Sequence, residues 1–508
     1  MEIIERRYVE LQSIKSDINE HLTTLCKYAE ECDSVFETGV RGCVTSWAFV
    51  YGLLNNKNST NPKFMLLNDI CECDIKELAY AALSVDINLN YIWKNNLELT
   101  LNRRYDLTFI DTWHVYGQLK RELEKFSKIT NKYIIMHDTT VDELHGETIR
   151  QGWNSVQQSL ESGFLLEEVN KGLWPAIEEF LHDNPEWTLH ERFTHCNGLT
   201  ILKRTKIYPI LFSMPRVKIT DEINSISQKE KIVSDLIPGD LKTYIYDNEE
   251  DYYNEYKKSL FALTIKKFGW DCLRHYEIIA NGCIPYFPNI EQCPKNTMAF
   301  FPKELIKRGN DLYNICINYN SIYEIPCDIA VQCNILINKL TDNLKNYLTT
   351  QKMAEYILEK TDHKNVSSVL FLSSCLIPDY LRCLTLHGFK ETLGNKCHDY
   401  PKIPHIYKSE TNNYRILYGK GFTYTNLLED SFHNDELDKT IEEDIINHKY
   451  DVVIYGSYNR GMPYYNLVCT SYKPEEIILM CGDDSPNLAN LDYSPYAKEG
   501  HHVFVREL

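Results

Sequence analysis

Several things this sequence lacks narrow its class first. It contains no run of 18 apolar residues, so no membrane-spanning helix is expected. The opening "MEIIERRYVELQ" is charged where a secretory leader would be apolar, so no signal peptide is expected. Basic residues are not in excess: 54 Lys and Arg face 72 Asp and Glu, a formal net charge of −18. Non-specific nucleic-acid binding needs a basic surface and is therefore not expected. The 17 cysteines follow no repeated spacing, and Cys71 and Cys73 are too close for a CxxC pair. Reduced cysteines in a cytoplasmic protein are expected, rather than a disulfide framework or a cysteine zinc site. Internal repeats and low-complexity tracts are also missing.

What is present is an ordinary globular composition. The chain has 508 residues, 43% hydrophobic and 25% charged, enough for about three domains. In the first 200 residues, "SVFETGV", "KFMLLNDI", "YDLTFIDTW" and "KYIIMHDT" are short apolar runs that end in polar residues. Amphipathic stretches separate them, the signature of a parallel sheet covered on both faces. "EWTLHERFTHCNGLTILKR" then reads as two strands around a turn at Asn197-Gly198. Residues 205 to about 240 read as a connection. A second unit runs from about 241 to 360 and includes the amphipathic "DYYNEYKKSLFALTIKKFG". A third opens at "SSVLFLSSC" and adds strand signals at "YDVVIYGS", "EEIILMCGDD" and "HHVFVREL".

Ligands of an open parallel sheet sit at the carboxyl ends of its strands. Glu37, Gly39 and Gly42 follow strand one, and Asp69 follows strand two. Asp111 and His114 follow strand four, and His137 and Asp138 follow strand five. Glycine lets backbone approach a ligand closely, and an acid after strand two suits a ribose hydroxyl pair.

With these residues in place, the N-terminal part of the chain resembles class I O-methyltransferases dependent on S-adenosyl-L-methionine (SAM). The nearest group is the metal-dependent, sugar-modifying one that includes cephalosporin-hydroxylase-like proteins. The resemblance is carried by "FETGVRGCVTSW", "FIDTWHVYGQLKRELEKF", "YIIMHDT", "GLWPAIEEF" and "HCNGLTILKR", and covers about residues 30–204. It implies that Glu37, Gly39 and Gly42 line the methionine and ribose part of the cofactor, with Asp69 on the ribose. It also implies that Asp111, His137 and Asp138 hold a hard divalent cation such as Mg²⁺, and that His114 is the general base for a sugar hydroxyl. His137 stands where that group often has a second acid.

A second motif is "GWDCLRHYEIIANGCIPYFPNIEQCP", residues 269–294. It resembles the donor-binding segment of GT-B glycosyltransferases. The resemblance implies a nucleotide diphosphate sugar, with Glu277 on the ribose, Arg274 on the diphosphate and Gly282 giving backbone access. Retaining members carry an acid where this chain has Trp270. Asp379, and Asp483 or Asp484, follow strand signals and are candidates for the acceptor base. The donor-like half comes first here, so its order is permuted relative to that family, or the domain has lost activity.

The expected architecture is therefore α/β: a Rossmann-like methyltransferase domain (1–204), then two Rossmann-like halves (205–360 and 361–508) of a GT-B-type enzyme. The expected protein is a bifunctional, cytoplasmic enzyme that glycosylates and O-methylates a glycan acceptor, with homo-oligomers allowed. Alternatives keep one activity, with the other half a carbohydrate-binding scaffold, or keep neither.

Overall fold

The computed structural model describes residues 2–57, 59–221, 225–409, 414–484 and 493–508. The chain divides into two compact units, Met1–Thr205 and Lys206–Leu508.

The first unit is built on seven strands: β1 (Ser34–Thr38), β2 (Lys63–Asp69), β3 (Ile87–Trp93), β4 (Tyr105–Ile110), β5 (Thr130–His137), β6 (Trp187–Phe193) and β7 (Leu199–Arg204). Their order is β3-β2-β1-β4-β5-β7-β6. β1 to β5 are parallel, and β7 runs antiparallel to both β5 and β6. Every residue of β1 is buried, as a central strand covered on both faces requires. Its neighbours Val35 and Phe36 point to opposite faces and join separate cores. Val35 packs with Trp47, Phe49 and Phe109, and Phe36 with Leu123, Phe126 and Ile134. The order of strands reverses between β1 and β4, so a crevice opens at their carboxyl ends.

β3 carries no apolar run, because it is an edge strand whose Asn88 and Asn90 face outward. The hairpin turn falls where expected: Cys196, Asn197 and Gly198 all take positive φ, at 48°, 65° and 99°.

The second unit holds two parallel sheets. β9 (Lys231–Val233), β10 (Ser259–Leu263) and β11 (Ile284–Tyr286) form a three-stranded sheet in the order β11-β10-β9. The other sheet has six strands in the order β13-β12-β14-β15-β16-β8. These are β8 (Ile207–Pro209), β12 (Val369–Leu372), β13 (Cys397–Tyr400), β14 (Val452–Tyr455), β15 (Ile477–Cys481) and β16 (His502–Val505).

Three features of this unit go beyond the sequence pattern. The connection at 205–240 contains β8, which pairs with β16 at the sheet edge, and β9. The amphipathic "DYYNEYKKSLFALTIKKFG" divides: the helix Glu249–Lys258 ends and "SLFAL" becomes β10, buried at its first four positions on both faces. The chain also has no break near 360. One core joins Phe261 and Ile278 to Phe371, Met480 and Phe504. The helices Thr350–Lys360 and Tyr380–Leu393 pack so closely that a Cβ on Gly388 would lie 2.0 Å from the Thr350 carbonyl oxygen. Among the described residues, no helix is long and apolar enough to cross a membrane.

Candidate functional site

The crevice of the first unit begins with a close contact between strand ends. Gly39 has φ +89°, and a Cβ there would lie 1.7 Å from the carbonyl oxygen of Asp111. Only glycine permits this approach. The Asp111 N–H donates to Thr38 O at 3.0 Å, and the Gly39 N–H to Asn68 O at 2.9 Å. Three strand ends are thereby tied together. Gly42 is different: the space where its Cβ would stand is open.

Asp69 lies at this loop, but not as a bare ribose acceptor. Its Oδ2 accepts the Val40 and Arg41 N–H groups at 2.8 and 3.0 Å, and its Oδ1 accepts that of Cys71 at 2.8 Å. The carboxylate therefore shapes the loop, because its lone pairs are directed at backbone donors. Glu37 is fully buried and accepts the Thr45 hydroxyl, while its Oε2 has no partner. Burial, with Asp111 and Asp69 nearby, pushes its pKa up to about 8.

Beside the loop lies a buried cluster of acids and imidazoles. His114 Nε2 is 3.1 Å from Asp111 Oδ1, and its Nδ1 is 2.9 Å from Asp138 Oδ2 and 3.4 Å from Asp142 Oδ2. His137 Nε2 faces the carbonyl oxygens of Asp17 and Cys196 at 3.1 and 3.3 Å. Those are acceptors, so Nε2 carries a proton and Nδ1 is turned toward Asp111 and Asp138, at 3.5 and 3.4 Å.

Burial opposes charge on His114, but hydrogen bonds to Asp111, Asp138 and Asp142 outweigh it and raise its pKa well above the usual imidazole range. Those of Asp111 and Asp138 fall despite burial, through the same contacts. His114 thus holds a proton between the acids. It can act as a base only where another cation takes that proton's place.

The residues present fit such a cation. Asp111 and Asp138 offer carboxylate oxygens within 4.8 Å of one another and of a His114 nitrogen, and His137 Nδ1 lies 3.5 and 3.4 Å from those two residues. His114 Nδ1, His137 Nδ1 and Asp138 Oδ1 are buried without an aligned hydrogen-bond partner. The structure brings together all four residues expected at this centre. It places His114, expected as the base, between the acids, and His137 slightly further off.

The sequence reading missed two supporting groups. Asp142 is fully buried and takes Arg150 in a two-point contact at 2.7 and 2.8 Å. Asp142 and Arg150 stand in "DTTVDELHGETIR", where the recurring acids after β5 were the available signal. Beneath the strand ends, Glu122 Oε1 accepts from Asn96, Thr112 and Gln118 at 2.5, 2.6 and 2.8 Å. Asn96 also donates to Thr38.

In the second unit, Arg274 and Glu277 line a cavity of 680 Å³. They stand one turn apart near the start of the helix Leu273–Ala280. Arg274 is 8% exposed, its Nη1 has no hydrogen-bond partner, and its nearest ring is Tyr244 at 5.7 Å. Among the described residues no carboxylate reaches it within ion-pair distance. Glu277 Oε2 accepts Tyr252 OH at 2.8 Å and its Oε1 accepts the Thr423 hydroxyl at 2.5 Å. Burial raises its pKa.

Asp379 also lines the cavity, but caps the helix Tyr380–Leu393 through Arg382 N and binds Ser457 and Arg460 at 2.6 and 2.9 Å. The carboxylate expected as the acceptor base is thus tied to a serine and an arginine. Asp484 is paired with Arg506, and Asn459 donates to Asp483 at 3.4 Å. Gly282 does not line this cavity. It ends the helix with φ +65°, and the Cys283 N–H bonds back to Ile278 O. Its glycine serves the left-handed cap rather than ligand access.

No protein-family model and no curated protein matches this chain. Solved structures do. A Bacillus cereus O-methyltransferase in complex with SAH is 12% identical over 40% of this chain and 89% of its own, with a TM-score of 0.27. The SAH-bound Podospora anserina methyltransferase PaMTH1 is 11% identical over 40% and 87%, with a TM-score of 0.26. The N-methyltransferase NodS from Bradyrhizobium japonicum WM9, in complex with SAH, is 13% identical over 40% and 97%, with a TM-score of 0.24.

Proposed function

We propose that residues 1–205 form a SAM-dependent O-methyltransferase that acts on a sugar hydroxyl with the help of a divalent cation. The observation that carries this is the meeting of Gly39 with Asp111 at the switch point, beside the cluster of Asp111, His114, His137 and Asp138. Open space over Gly42 suits a ligand laid along the loop. Bound SAM supplies an electrophilic methyl group, and a bound cation supplies positive charge for the acceptor oxygen. Asp111 and Asp138 would hold that cation, with His137 Nδ1 beside them. His114 would take the hydroxyl proton as the oxygen–methyl bond forms and the sulfur–methyl bond breaks. Glu122 and its amide partners hold the strand ends in place.

The test is calorimetry with S-adenosylhomocysteine, followed by a methylation assay on sugar acceptors. Gly39→Arg should abolish binding. Chelation or His114→Ala should lower the rate by about 10²–10⁴-fold. No binding at millimolar ligand to folded protein would end this reading, and full activity in both rate tests would remove the assigned roles.

The buried Arg274, whose Nη1 has no hydrogen-bond partner, favours a second activity in residues 206–508: glycosyl transfer from a nucleotide diphosphate sugar to a glycan. Arg274 would neutralise the diphosphate, and Glu277 would exchange its hydroxyl partners for those of the ribose. Arg274→Gln or Glu277→Ala should weaken UDP or GDP binding by about 10- to 150-fold, the equivalent of roughly 1.5–3 kcal/mol. Unchanged affinity in both would reduce this half to a scaffold.

A further inference from the structure

Away from both sites, the second unit gathers another set of imidazoles and carboxylates at one edge of its six-stranded sheet. His398 stands in the edge strand β13. His433 follows the turn Asp430–Phe432, and Asp438 ends the one-turn helix Asp435–Asp438. His398 Nε2 is 2.9 Å from Asp438 Oδ1, and His433 Nε2 is 3.3 Å from Asp438 Oδ2. The two rings stack with centroids 5.2 Å apart.

Two features mark this as more than a set of ion pairs. His398 is 2% exposed, yet its Nε2 and Asp438 Oδ1 lack an aligned hydrogen-bond partner. His433 Nδ1 lies 3.0 Å from Asp399 Oδ1, a buried carboxylate held by Tyr407 OH at 2.7 Å and Lys390 at 2.7 Å. The Asp399 carboxylate fixes a proton on Nδ1, and Nε2 bonds Asp438 Oδ2, where a metal ion would take the place of the proton they share. Such an outer partner is what orients imidazoles that bind metals.

We propose that His398, His433 and Asp438 form a zinc site. A tetrahedral centre with bonds of about 2.0–2.1 Å sets its ligand atoms roughly 3.3 Å apart. The ligand atoms of these residues all lie within 4.8 Å of one another, two of the separations being 2.9 and 3.3 Å. Two imidazoles and one carboxylate favour Zn²⁺ over Mg²⁺ or Ca²⁺, which take oxygen ligands. Asp435 Oδ1, 3.4 Å from His433 Nε2 at the exposed rim, or water completes the fourth position. The ion fastens the stretch 430–438, which has one short turn and one helical turn of its own, to β13.

The experiment uses the full chain, stripped with a chelator, in an Asp111→Asn/Asp138→Asn background that silences the other cluster. Zinc chloride titration should show one bound ion per chain, a rise in melting temperature, and visible absorption when cobalt replaces zinc. His398→Ala and His433→Ala should each lose all three signals. Circular dichroism checks their fold, and Asp438→Asn, nearly isosteric, carries the test if either fails to fold. No bound zinc in the background protein, or equal binding in the folded variants, would overturn the site. The methyltransferase reading is untouched by either result.

Discussion

Gly39 and Glu37 occupy the same strand end, and each makes a different demand on it. A methyl group at Gly39 would stand 1.7 Å from the Asp111 carbonyl, on a backbone at φ +89°, so β1 and β4 would have to part. Gly39→Ala should lower the melting temperature and remove S-adenosylhomocysteine binding. A variant of unchanged stability and affinity would show that the contact does not matter. Glu37 makes a pH-dependent demand. Its folded pKa is raised from 4.5 to about 8. The stability it contributes is therefore fully present below about pH 4.5 and is lost as pH rises through about 8, since the unfolded chain ionises first. Thermal melts across pH 5–8 should fall with pH, and Glu37→Gln should flatten that slope. Equal slopes in the two proteins would contradict the assignment.

The loop from β1 to the helix Val44–Asn55 is held by one side chain from the neighbouring strand. Asp69 accepts two backbone N–H groups there, those of Val40 and Arg41, and a third from Cys71 after its own strand, and an unsatisfied donor costs about 1–3 kcal/mol. Asp69→Ala should destabilise the first unit by that order and weaken S-adenosylhomocysteine binding. Zinc uptake at His398 should not change, as measured by titration of the same protein. This element was legible in the sequence down to the spacing of Gly39 and Gly42. The partner of Asp69 was not, because an acid after a second strand reads the same whether it faces ribose or backbone. The acids beyond β5 showed in the sequence only as a recurrence, without their partner: Asp142 and Glu147 sit 28 and 33 positions from His114 and meet it only when the sheet forms.

At the scale of the molecule, the two units divide at Thr205/Lys206, and β8 belongs to the second. It covers the edge of β16 through parallel pairing at Ile207, Tyr208 and Pro209. A fragment of residues 1–205 should fold and keep its S-adenosylhomocysteine affinity. A fragment starting at 206 should be more stable than one starting at 210, which leaves β16 as an open edge. Equal melting temperatures for the two longer fragments would show that β8 adds nothing.

The sequence by itself determined the element types of the first unit apart from the edge strand β3, because apolar runs of strand length, separated by amphipathic helices, admit few arrangements other than a covered parallel sheet. It also determined which residues end those strands, and hence the set Glu37, Gly39, Asp111, His114, His137 and Asp138. Only the tertiary structure decided what each one faces. Hydrogen-bond partners across a sheet are set by register and strand order, which a local pattern does not encode. That is why Asp69 and Asp379 proved to hold backbone and arginine, why Gly282 caps a helix, and why His398 and His433, 35 positions apart and in no motif, came to stand ring against ring.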